Sequence, residues 1–273
     1  MKIHVRNYAV GAGEPLLLLC GPCVIESLDL CRRVAGTMAE LCAARGINYV
    51  FKASFDKANR TSIASSRGPG LGQGLEILAQ IKAEFGVPVT TDVHESHQCL
   101  EAAQIVDVLQ IPSFLCRQTD LLLAAGEAAA KFGGAVNVKK GQFLRPEGME
   151  HAVKKVRAAG CANVLVTERG TTFGYDSLVV DFRSLEIMRE FAPVCFDATH
   201  SVQKPGGGGD KTTGDRHFVP PLVRAAMGVG IDALFVETHP DPQNALSDGP
   251  NMVPLGEMAA LLDRALAIRA AGA

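Results

Sequence analysis

Eight times along the chain, a short aliphatic or β-branched run ends in polar residues and gives way to an amphipathic stretch. The runs are 16–22 (LLLLCGP), 47–54 (INYVFKAS), 87–94 (VPVTTDVH), 107–112 (DVLQIP), 135–140 (AVNVKK), 163–169 (NVLVTER), 194–200 (VCFDATH) and 233–239 (ALFVETH). Each is short and apolar on both faces, as a strand covered from both sides must be. The intervening stretches, near 28–45, 73–85, 96–104, 118–132, 146–159, 183–191, 217–229 and 254–271, carry helical periodicity. Gly46, Gly86, Gly133 and Gly160 fall where a helix must stop before the next strand. Eight strand–helix units in 273 residues predict an α/β chain folded as one (β/α)8 TIM barrel. An open doubly wound sheet is the alternative arrangement of the same elements. Residues 1–14 precede the first run as a short N-terminal extension, and no linker or low-complexity tract divides the barrel catalytic domain over 15–273.

Composition narrows the partners. With 47% hydrophobic residues, 5% aromatics and no Trp, the chain suits a repetitive α/β core. Its formal net charge of −2 supplies no global field for nucleic acid or an anionic membrane, so neither is expected as a partner. The segment LLLLCGPCVI is ten residues long and broken by Gly-Pro, far short of a membrane span. MKIHVRNYAVGAGE has no apolar stretch behind its positive charges, unlike a secretory signal. The eight cysteines, at 20, 23, 31, 42, 99, 116, 161 and 195, sit mostly inside apolar periodic segments. There they read as small core hydrophobes in a reducing compartment, and a cytoplasmic location is expected.

Barrel chemistry gathers at the C-terminal ends of the strands. Those ends carry Cys23, Lys52 with Ser54, Asp92 with His94, Gln110, Lys139, Arg169, His200, and Glu237 with His239. Period-two alternation places Asn137 with Lys139, Thr167 with Arg169, Ala198 with His200, Phe235 with Glu237, and Asp92 with His94 on common faces. Cations concentrate despite the neutral balance: Lys52, Lys57 and Arg60 in one short segment, joined by Arg67, Arg117, Lys139 and Arg169. So many fixed cations suit two phosphorylated reactants better than one. Cys23, His200, Glu237 and Asp248 offer one thiolate, one imidazole and two carboxylates, a set fit for Zn, Mn, Fe or Co. Their spacing alone also admits a plainer reading, with Cys23 in the core and His200 hydrogen-bonded in a loop. The glycine-rich GGGGDKTTG (206–214) lacks the Gly-Lys step of a phosphate loop and reads as a mobile loop over the mouth. GPGLGQG (68–74) fails the dinucleotide fingerprint at Gln73.

The segments CGPCVIES, FKASFDKANRTS, RGPGL, TDVHE, QIPSFLCRQTDLL, NVKKGQF, ERGTTFGYDSLVVD, FDATHSVQ, VETHPDP and SDGPN occur in this order. Together they resemble the 3-deoxy-D-manno-octulosonate 8-phosphate synthase family from about residue 16 to 270. The resemblance implies a homotetramer that condenses phosphoenolpyruvate with D-arabinose 5-phosphate and water, releasing phosphate, on the route to lipopolysaccharide. It implies that Lys52, Lys57, Gln110, Lys139 and Arg169 contact phosphoenolpyruvate, that Asn59, Arg60 and Ser113 hold the sugar phosphate, and that Arg117 lies near one phosphate. Ser54 and Gln142 complete the expected substrate-binding set. Cys23, Lys139, His200 and Asp248 are the catalytic candidates. Cys23, where a metal-independent branch carries Asn, together with SDGP around Asp248, resembles the metal-dependent branch and implies a divalent ion on Cys23, His200, Glu237 and Asp248. Two features depart from the family pattern: Cys116 stands where Ala is common, and the loop 204–216 is unusually rich in glycine. The competing expectations are a 3-deoxy-D-arabino-heptulosonate 7-phosphate synthase acting on erythrose 4-phosphate, and a non-catalytic barrel that senses sugar phosphates.

Overall fold

The computed structural model describes residues 1–59, 63, 65–175, 177–204 and 213–272. Its central sheet is built from β1 (Leu17–Gly21), β2 (Asn48–Lys52), β3 (Val89–Asp92), β4 (Val108–Ile111), β5 (Ala135–Lys139), β6 (Val164–Glu168), β7 (Val194–Asp197) and β8 (Ala233–His239). Each strand pairs in parallel with the next. β8 returns to pair with β1, Ala233 opposite Leu17 and Glu237 opposite Gly21, so the sheet closes. The helices are α1 (Leu28–Ala43), α2 (Leu71–Phe85), α3 (Ser96–Ala103), α4 (Thr119–Phe132), α5 (Met149–Ala158), α6 (Arg183–Arg189), α7 (Val219–Val229) and α8 (Met258–Ala271). The chain is a (β/α)8 barrel, and the open-sheet alternative is excluded by the β8–β1 pairing.

Strand alternation divides the apolar residues into two cores. Leu16, Leu18, Tyr49, Phe51, Val136, Val138, Val164, Val166, Leu234 and Val236 face outward and pack beneath the helices. Leu17, Leu19, Val50, Val108, Ala135, Leu165, Cys195, Ala233 and Phe235 face inward and fill the barrel. This is why the runs lack the polar alternation of a half-exposed sheet. Helix ends follow glycine chemistry where it is needed: α2 stops at Gly86 (φ 67°) and α4 at Gly133 (φ 70°), both left-handed. The helices α5, α7 and α8 begin two to four residues later than their amphipathic patterns. Their first turns, at 146–148, 216–218 and 255–257, are 3-10.

The first eleven residues close the bottom of the barrel. Lys2–Val5 and Tyr8–Gly11 form an antiparallel hairpin. Its buried residues Ile3, Val5 and Val10 belong to the same core as the inward-facing strand residues. The hairpin is held to the rim by His4 N–H donating to Asn163 Oδ1 at 3.0 Å, and by Arg6 beside Asp107 at 3.7 Å. Truncating Ile3 to alanine therefore removes part of the barrel floor. The expected loss in urea unfolding free energy is about 2–5 kcal/mol, the range for a buried large-to-small change. A loss below about 0.5 kcal/mol, the scale of surface substitutions, would show that the hairpin does not carry the floor.

One strand ends earlier than its pattern. β7 stops at Asp197 rather than continuing to residue 200. The Asp197 carboxylate accepts from His200 N–H (2.9 Å) and Thr199 Oγ1 (3.2 Å), and its carbonyl accepts from Ser201 Oγ (2.6 Å). These bonds turn the chain into the 3-10 segment His200–Val202. Ala198 and His200 consequently do not share a strand face: Ala198 joins the outer core, while His200 stands at the mouth.

Candidate active site

The C-terminal rim surrounds a cavity of about 1610 Å³ lined, among others, by Lys52, Lys57, Asp92, Lys139, Arg169 and His200. Its depth is set by the inward strand tips. Gly21 occupies the inward tip of β1, where a side chain would collide with the Lys52 carbonyl. The glycine lets β1 and β2 approach closely just before the loop that carries Cys23.

Below the cavity lies a chain of directed hydrogen bonds. Thr167 Oγ1 donates to Asn137 Oδ1 (2.7 Å), Asn137 Nδ2 to Gln110 Oε1 (2.9 Å), and Gln110 Nε2 to Asp92 Oδ1 (2.5 Å). Ser54 Oγ donates to the other Asp92 oxygen. Because an ionised carboxylate only accepts, Asp92 fixes which way both amides point. Burial raises the Asp92 pKa, but Lys52, Lys57 and Lys139 outweigh it and hold the group well below the usual carboxylate range.

Two ammonium groups stand above Phe235. Lys139 Nζ is 3.8 Å and Lys52 Nζ 5.5 Å from its ring centroid, so the ring face supports both charges from beneath. Lys139 also pairs with Asp197 Oδ2 at 2.6 Å, and Lys52 with Glu237 Oε1 at 2.7 Å. Lys52 further donates to the Cys23 carbonyl at 3.0 Å. Lys57 meets a burial penalty that would lower its pKa, yet Cys23, Glu237, Asp92 and Asp248 raise it above the ordinary lysine value.

Cys23, Glu237 and Asp248 bring their ligating atoms within 4.8 Å of one another. His200 joins from the side: Nε2 is 3.7 Å from Glu237 Oε2 and 3.9 Å from Asp248 Oδ2, although it lies outside the mutual spacing of the other three. Both separations exceed hydrogen-bonding distance. Asp197 Oδ2, 2.7 Å from His200 Nδ1, places a proton on that nitrogen and directs Nε2 toward the two carboxylates. Glu237 Oε2 is buried and has no hydrogen-bond partner among the described residues. Cys23 Sγ lies within hydrogen-bonding reach of Ser247 Oγ (3.0 Å) and Asp248 Oδ2 (3.2 Å), and its single S–H can serve one of them at a time. Burial, followed by the Asp248 and Glu237 charges, pushes its pKa far above the usual thiol value. Asp248 itself adopts φ 51°, a left-handed conformation that a short polar side chain tolerates better than most.

The remaining expected residues divide. Arg169 and Gln142 line the cavity, each with a buried atom, Nη1 and Oε1 respectively, that has no partner among the described residues. Asn59 and Ser113 lie on the cavity wall. Ser54, Gln110, Cys23 and Glu237 lie beneath the lining. Arg117 is exposed just before α4 and does not line the cavity. Arg60 and most of the glycine-rich loop, 205–212, lie outside the described residues. Asp197 and Ser247 are site neighbours that strand-end reading passed over. Asp197 carries a detectable signal: counted from Cys195 it is an inward position of β7, level with the tips of its neighbours.

The DAHP synthetase I family model matches residues 1–266. A 2-dehydro-3-deoxyphosphooctonate aldolase of Cyanothece sp. is 57% identical over 273 residues, covering 99% of this chain and 98% of the relative. The protein of that name from Fusobacterium nucleatum is 54% identical, covering 98% and 95%, and that from Desulfotalea psychrophila 56%, covering 96% and 92%. With a family match from the first residue to within the last helix, and relatives aligned along almost their whole lengths, this chain belongs to the DAHP synthetase I family.

Proposed function

We propose that the chain is a 3-deoxy-8-phosphooctulonate synthase. It condenses phosphoenolpyruvate with D-arabinose 5-phosphate and water, gives 3-deoxy-D-manno-octulosonate 8-phosphate and inorganic phosphate, and so feeds lipopolysaccharide precursor synthesis. The observation that carries this reading is the near-full-length identity, 52–57%, to relatives that share one enzyme name. The site chemistry agrees with it. Lys52, Lys57, Lys139 and Arg169 oppose Asp92, Asp197, Glu237 and Asp248, so an anionic reactant and a divalent cation enter together at little net electrostatic cost.

The enol phosphate supplies C3 as nucleophile to the aldehyde carbon. Water adds at C2, and the C2–O bond to phosphate breaks. Lys139, Arg169 and Lys57 hold the carboxylate and phosphate of the first reactant, while Asn59, Arg60 and Ser113 hold the phosphate of the second. Fixing both reactants contributes up to roughly 7–11 kcal/mol against the bimolecular barrier. Lys139 works as a cation here. Its Nζ is engaged by Asp197 Oδ2 at 2.6 Å and seated over the Phe235 ring, an ion-pair setting rather than that of a free nucleophile.

The donor set fits a divalent metal ion, Zn, Mn, Fe or Co, held by Cys23, His200, Glu237 and Asp248. The unpartnered Glu237 Oε2 and the converging His200 Nε2 are what such an ion would satisfy. When bound, it would supply Lewis-acid polarisation of the aldehyde oxygen or orient the attacking water. A homotetramer is part of this reading. So is a cytoplasmic setting, supported by eight unbridged, buried cysteines and by the absence, among the described residues, of any helix long and apolar enough to cross a membrane.

Phosphate release from phosphoenolpyruvate tests the function directly. Release is expected with arabinose 5-phosphate, with kcat/KM at least about 100-fold above that for erythrose 4-phosphate, the scale of a lost polar contact set. Equal or better turnover of the four-carbon sugar would make the chain a heptulosonate synthase. No release with either would leave a binding barrel.

A further inference from the structure

Lys140 and Glu168 form a buried ion pair that the reaction does not use. Lys140 Nζ lies 3.5 Å from Glu168 Oε1, with relative side-chain exposures of 1% each. Lys140 follows the inward Lys139, and Glu168 follows the inward Thr167, so both project away from the barrel interior, and neither lines the cavity.

What the pair does is visible in its other bonds. Glu168 Oε1 accepts from the backbone N–H of Arg169 (3.0 Å) and of Gly170 (2.7 Å), and Oε2 accepts from Ser184 Oγ (2.6 Å). Gly170 sits at φ 92°, so the chain reverses sharply behind Arg169. Lys140 Nζ donates to Thr171 Oγ1 (3.0 Å) and, at 3.4 Å, to the carbonyls of Gly141 and Leu144. The two turns are tied to each other by Thr172 N–H donating to the Gln142 carbonyl at 3.0 Å. One turn presents Arg169 and the other Gln142, two of the cavity residues with a buried polar atom, Nη1 and Oε1, that has no hydrogen-bond partner among the described residues.

We propose that Lys140 and Glu168 are positioning residues that orient Arg169 and Gln142 from behind for the first substrate. The inference rests on the phosphoenolpyruvate reading above and adds two residues to it. An unpaired charge left at this depth would destabilise the fold by itself, so the informative variant neutralises both partners at once.

The test compares Lys140→Met, Glu168→Gln and the combined variant with the unaltered enzyme, with folding followed by circular dichroism and thermal unfolding. The combined variant is expected to fold, to raise KM for phosphoenolpyruvate at least tenfold, to keep KM for the sugar phosphate within twofold, and to keep kcat within threefold. A folded combined variant with KM for phosphoenolpyruvate within twofold of the unaltered enzyme overturns the proposal. So does a combined variant that fails to fold, or one that loses kcat and both KM values together, because the pair would then serve the fold alone. Failure of the unaltered enzyme to release phosphate would instead defeat the functional reading.

Discussion

Cys23→Ala is expected to abolish binding of the proposed metal ion and nearly all activity. The thiol lies at the centre of the proposed ligand set, and burial with two neighbouring carboxylates opposes its ionisation. A divalent ion would offset that penalty by taking the proton's place on sulfur, so thiol and ion depend on each other. A metal ion acting as Lewis acid supplies several kcal/mol. Four of these correspond to roughly 10³-fold in rate, at 1.36 kcal/mol per decade. The measurement is metal content after purification without chelator, together with kcat before and after dialysis against chelator. Because asparagine occupies this place in the resembling metal-independent branch, Cys23→Asn is expected to recover turnover that chelator does not touch. Full activity of the alanine variant after exhaustive chelation would refute the metal assignment.

Lys52→Met should give the largest loss of stability. Its ammonium, buried to 1% exposure, pairs with Glu237 and stands 3.8 Å from Asp92. Burial raises the Glu237 pKa; Lys52 is the strongest of the cations that outweigh it, ahead of His200, Lys57 and Lys139, and together they hold it at about 2. Removing Lys52 leaves the buried Glu237 carboxylate without its ion-pair partner and takes a cation from beside Asp92. Breaking such a pair costs about 3–5 kcal/mol. Urea unfolding reads the loss, and adding Glu237→Gln should recover part of it, since the uncompensated charge is then gone. A divalent ion that binds only the folded chain should also recover part of it. A loss below about 1 kcal/mol would show that water reaches the strand tips and screens them.

The barrel was legible because every strand is apolar on both faces and each helix carries its own period and stop. Strand boundaries held to within a few residues wherever polar residues resumed. The misreading at 194–200 has a local cause. Counting by twos from His200 assumed that the strand continued, whereas the Asp197 carboxylate captures two following donors and ends it. A side chain that bonds its own backbone looks, in sequence, like any other polar strand residue. The hairpin is a different case. The alternation of Ile3 and Val5 marks a strand, but nothing local says that its buried face looks into the barrel. The same limit applies to Lys140 and Glu168. Twenty-eight positions separate them, and each resembles a solvated strand end until the two turns are seen to share one ion pair.

The hairpin floor has a consequence for traffic. With Ile3, Val5 and Val10 sealed against Leu17, Ala135 and Ala233, the barrel is a blind well rather than a tunnel. Reactants and products therefore share one opening at the C-terminal rim. A molecule seated at the strand tips is thus reached from the rim alone, and anything bound above it lies between it and solvent.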